Sequence, residues 1–94
     1  MKSRAQTVLC LDSESEERTA TVEALSDAGF EVVEAGTIDD AIAALNESID
    51  CVVTATALAD GSGFDVVGRV REAYADCPVV LFGEASAAAV PSGR

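Results

Sequence analysis

A three-layer α/β fold built on a parallel sheet is predicted for this chain by three observations. Short apolar runs alternate with segments of helical periodicity along most of its length, and such alternation implies βαβ crossovers whose helices cover both faces of a sheet. The apolar runs are mostly continuous, as in strands buried on both sides. With 94 residues, 49% of them hydrophobic, the chain suffices for one small domain with a modest core and leaves no room for a second.

Val8-Leu9-Cys10-Leu11 is the first strand. The segment Asp12 to Glu17 then combines N-cap residues with acids that favour the positive end of a helix, and Ser13 with Glu16 has capping-box spacing. Val22, Leu25 and Ala28 are the expected buried stripe of that helix, and Gly29 stands where a left-handed C-terminal cap is wanted. Glu31 to Ala35 reads as a shorter second strand. Thr37 is the expected cap of a helix over Ile38 to Asn46, with Ile38, Ala41, Ile42 and Leu45 on one face. Cys51-Val52-Val53-Thr54 is the third strand, and a loop from Ala55 to Gly63 follows. A third helix is expected over Phe64 to Ala75, with Phe64, Val67, Val70 and Tyr74 inward, and Pro78 introduces a fourth strand, Val79-Val80-Leu81-Phe82. The folded core is therefore placed at 6–82 of a single domain 1–94, with 84–94 as a short helix or loose tail.

Seventeen Asp and Glu against six Lys and Arg give a formal charge of −11, which repels phosphate backbones and anionic membranes alike. Nucleic acid and membrane are thus not expected partners. The single lysine, Lys2, and the acidic surplus fit a surface adapted to high salt, so a halophilic source is expected. Cys10, Cys51 and Cys77 lie far apart and no histidine is present to complete a metal site. Cys10 and Cys51, inside apolar runs, read as small buried hydrophobes, and the odd count fits a reducing cytoplasm. No apolar stretch approaches the ~20 residues that span a bilayer, and the start of the chain lacks a secretory signal.

No phosphate-cradling glycine motif follows the first strand, and Asp12-Ser13-Glu14 at that turn would repel a phosphate. Acids gathered at the C-terminal edge of a parallel sheet, where such sheets hold ligands, point to a hard cation instead. Three segments carry a resemblance: Val8 to Glu14, Asp50 to Ala55, and Leu58-Ala59-Asp60-Gly61-Ser62-Gly63-Phe64, with Pro78 to Gly83 falling at the matching fourth strand. In this ordered set the chain resembles the receiver domain of two-component response regulators. The resemblance implies a flavodoxin-like sheet of strand order 2-1-3-4, here lacking strand 5 and helix 5, so a fragment of a larger regulator or sensor kinase is expected.

In active receivers an acidic pair after the first strand and an aspartate ending the third bind Mg²⁺, and that aspartate takes phosphate from a histidine kinase. A hydroxyl residue ending the fourth strand and a lysine ending the fifth sense the phosphoryl group. Asp12 matches the first acid, but Ser13 stands at the second. Ala55 holds the phosphoacceptor position, where a methyl group can neither form an acyl phosphate nor ligate a cation, and Gly83 replaces the switch hydroxyl. Glu14 reads as a first-turn helix acid, with Asp12 and Glu14 as the only weak metal ligands left.

Other acids do not fill the gap. Asp50, five residues before Ala55, lies roughly 16 Å away along an extended strand, and Asp60 reads as a turn residue capping its loop. Thr54 and Thr56 are ordinary strand-end residues. The resulting expectation is a degenerate receiver: not an enzyme, with Mg²⁺ binding weak or absent, acting by contact with other signalling proteins or domains. Its fourth strand, exposed at the sheet edge, is the expected route to a homodimer. The alternative is a small-molecule or cation sensor using the crevice between Asp12 and the loop after Ala55.

Overall fold

The structure, a computed structural model, describes residues 5–82. Gly83 and the 84–94 segment lie outside the described residues. The elements are β1 (Thr7–Leu11), α1 (Ser15–Asp27), β2 (Glu31–Ala35), α2 (Ile38–Ala44), β3 (Cys51–Ala55), β4 (Ala57–Leu58), β5 (Gly61–Ser62), α3 (Gly63–Ala73) and β6 (Val79–Phe82). The main sheet has order β2-β1-β3-β6 with every pairing parallel, and β6 is the fourth strand expected from sequence. This is the flavodoxin-like arrangement.

Every residue of β1 is buried, as its unbroken apolar run requires of a central strand. Successive side chains alternate between the faces. Leu9, Leu11 and Val52 join Ala35, Ile38, Ala41, Ile49, Val66 and Val70 in one core beneath α2 and α3, while α1 lies over β1 and β2. Burying a side chain such as Leu9 or Val66 contributes about 1.5–3 kcal/mol, so this cluster is the main source of stability.

Helix ends follow the expected chemistry at two of three sites. Thr37 caps α2 by accepting from the Asp40 N–H at 3.1 Å, and Gly29 ends α1 with φ of 101°, a region open to glycine. The N-cap of α1 is Glu14 and no side chain caps it, because the Ser13 hydroxyl is bonded elsewhere. The capping box expected between Ser13 and Glu16 is absent.

The expected buried stripes are also corrected. Val22 and Leu25 are only half-buried and Ala28 is exposed, so no residue of α1 is buried. The physical reason is that Ala20, Val22, Ala24 and Leu25 point to scattered angles around the helix and define no single face. In α3 the inward residues are Gly63, Val66 and Val70, while Phe64 is 60% exposed and Val67 and Tyr74 half-buried. A Cβ at Gly63 would collide with the Ala55 carbonyl oxygen, so this glycine must face the sheet. Helical geometry then turns Phe64 about 100° away. A capping box between Ser62 and Asp65 sets this start, one residue earlier than expected.

Candidate functional site

The chain passes from β1 to β2 on one side and then crosses to β3 on the other. The C-terminal ends of β1 and β3 therefore meet at the point where strand order reverses, the place where open parallel sheets form a crevice. Leu11 pairs with Thr54 in register, so the next residues, Asp12 and Ala55, stand side by side.

Asp12 is 1% exposed. Its N–H donates to the Ala35 carbonyl at 3.1 Å, its Oδ1 accepts from the Glu14 N–H at 2.9 Å, and its Oδ2 is buried without a hydrogen-bond partner. The Asp12 carbonyl accepts from Arg18 Nη1 at 2.7 Å, and Arg18 Nε is paired with Glu34 at 3.3 Å. Arg18 is the participant that sequence reasoning missed. Its signal was available: a base in the opening turns of a helix runs against the macrodipole and needs a local reason.

Ser13 donates its hydroxyl to the Gly36 carbonyl at 2.8 Å and accepts from the Ala59 N–H at 2.9 Å. Asp60 accepts from the Ile38 N–H through both carboxylate oxygens at 3.1 Å, so its carboxylate serves the start of α2 rather than capping its own loop as expected. Glu14 is exposed and Ala55 is buried at the end of β3. Asp50, by contrast, precedes β3 and accepts from the Thr7 N–H, which places it at the opposite edge of the sheet.

Beside the crevice, burial pushes the Cys10 thiol from its ordinary 9.0 up to about 11, with Asp12 and Glu34 adding to the effect and Arg18 opposing it. Burial also raises Cys51 and Cys77. All three cysteines are free thiols. Cavities of about 270 and 300 Å³ lie at the other edge of the sheet, sharing Ala75, Asp76 and Cys77. Among the described residues no helix is long and apolar enough to cross a membrane.

This fold and this crevice define the class: a doubly wound α/β module with its ligand edge at the ends of β1 and β3. The family profile of the response regulator receiver domain matches residues 8–91, and the chain belongs to that family. Solved structures agree in fold. The non-phosphorylated HemR receiver domain from Leptospira biflexa is 24% identical with a TM-score of 0.78, over 83% of this chain and 64% of that one. TrrA from Thermotoga maritima, solved in complex with Mg²⁺-BeF, is 25% identical with a TM-score of 0.76, over 83% of this chain and 69% of that one. The receiver domain of the hybrid histidine kinase CckA is 20% identical with a TM-score of 0.73, over 80% and 72%. The chain thus spans just under two thirds of the HemR domain. No curated protein matches it.

The Mg²⁺ that the family implies can be tested against these donors. Mg²⁺ takes near-octahedral oxygen coordination. At this crevice the Ala55 side chain supplies no oxygen, Ser13 uses its proton on Gly36 and a lone pair on Ala59, and Asp12 commits Oδ1 to Glu14, which leaves Oδ2 as its one unengaged carboxylate oxygen. Among the described residues no group of three or more His, Cys, Asp or Glu side chains gathers at one place. The donor set does not fit the ion.

Proposed function

We propose that this chain is a receiver-family signalling module that works without phosphotransfer, through contacts with other signalling proteins or domains, as part of a larger two-component regulator or sensor kinase. The observation that carries this reading is Ala55, a methyl group buried at the end of β3 beside Asp12. An acyl phosphate needs a carboxylate there, and among the described residues neither nearby candidate replaces it: Asp50 is at the far edge and Asp60 is engaged with the start of α2. A receiver surface can still be selected by a partner that binds one arrangement of it. On this reading the module is not an enzyme, binds Mg²⁺ weakly or not at all, and resides in the cytoplasm. A homodimer through the β6 edge belongs to the same proposal, since among the described residues β6 has β3 as its one neighbour in the sheet.

The test is incubation with acetyl phosphate and Mg²⁺ followed by intact mass measurement. An unchanged mass is expected, and a stable phosphoprotein overturns the proposal. A second reading, a cation- or metabolite-sensing crevice, is favoured by one observation, the buried and unpartnered Oδ2 of Asp12. Melting the same samples with Mg²⁺, Mn²⁺ and common metabolites separates the two, because a ligand of the native state must raise the transition. A rise abolished by Asp12→Ala supports the sensor.

A further inference from the structure

We propose that Ser13 is the positioning residue of the crevice, a hydroxyl clasp that holds three loops in one arrangement without a cation. The inference rests on the reading of the crevice as free of phosphotransfer and says how its surface is set. A serine hydroxyl has one proton to give and lone pairs to receive, and Ser13 uses both across long sequence separations. It donates to Gly36, 23 residues on, between β2 and α2, and accepts from Ala59, 46 residues on, in the β4–β5 connection. The turn after β1, the turn after β2 and the loop after β3 are thereby tied at one oxygen.

A carboxylate at this position could receive the Ala59 N–H, but it has no proton for the Gly36 carbonyl and would face that oxygen with a negative charge. The geometry selects a hydroxyl. Two further contacts hold the same loop from its other side: the Asp60 carboxylate on the Ile38 N–H, and Gly63, whose missing Cβ lets α3 start against the Ala55 carbonyl. The arrangement of residues 56–62 is consequently set on folding, and the face offered to a partner is the same with or without Mg²⁺.

Amide hydrogen exchange on the full chain tests this, with the Ala59 N–H as reporter. In the wild-type protein Ala59 exchange is expected to be unchanged by added Mg²⁺. In Ser13→Ala it is expected to accelerate by about fivefold or more, the loss of a hydrogen bond of ordinary strength, while Leu9 and Val52 in the sheet keep their protection. Ser13→Thr, which keeps the hydroxyl, is expected to restore slow exchange. Unchanged Ala59 exchange in Ser13→Ala overturns the clasp, and so does slowing of the wild-type amide by Mg²⁺, an arm that stands even where a variant folds poorly. A protein that accepts phosphate yet passes this test would refute the phosphotransfer-free reading and leave the clasp standing.

Discussion

Cys10 shows how strongly single positions in β1 depend on their surroundings. Its side chain is fully buried one turn of the pleat from Asp12, and that burial pushes its thiol from the ordinary 9.0 up to about 11. A raised thiol pKa means that the folded chain holds a proton the unfolded chain has released. Stability from this group is therefore complete below pH 9 and is lost as pH rises through about 11. Raising the thiol from 9.0 to about 11 is worth about 3 kcal/mol. Urea unfolding across this window is expected to show a steeper alkaline loss in the wild-type protein than in Cys10→Ala, and parallel curves would contradict the assignment. At this same scale the sequence was partly legible. Asp12, Ser13 and Ala55 were identified through the resemblance to receiver domains, which gives roles to the residues at the ends of the first and third strands. The job of Ser13 could not be read, because both of its partners lie more than twenty residues away and are backbone groups with no side-chain signature.

Among the elements, α3 has its rotation set by one contact rather than by its apolar pattern. Phe64, Val67, Val70 and Tyr74 have helical spacing, yet the stripe that faces the sheet is Gly63, Val66 and Val70. Periodicity identifies that a helix forms; it does not reveal that a backbone carbonyl from β3 occupies the space beside Gly63. Gly63→Ala is expected to destabilise by about 1–3 kcal/mol, the usual range for overpacking, since its Cβ would also lie 2.5 Å from Leu81 Cδ2. Gly68→Ala, where the added Cβ meets nothing within 4 Å, is expected to stabilise by about 0.5–1 kcal/mol through helix propensity. Thermal or urea melts of the two variants check the contrast, and equal shifts would remove the argument. The first helix was misjudged for a different reason: its few apolar residues are dispersed, so the sheet side of α1 is only half-buried.

Over the whole molecule, the α/β class and the parallel pairing were legible because apolar strands alternating with helices admit few topologies, whereas the strand order followed from the resemblance to receiver domains. The charge was legible as well, and it makes its own prediction. A net −11 on so small a domain stores self-repulsion that salt screens, so the melting temperature is expected to rise with KCl well into the molar range. A flat or falling series would remove the halophilic reading. The central claim concerns the crevice: Ala55, Ser13 and Asp12 keep the receiver fold and give up its chemistry. Intact mass after incubation with acetyl phosphate and Mg²⁺ measures this most directly. The account predicts a protein of unchanged mass, and the appearance of a stable species carrying one phosphoryl group would contradict it.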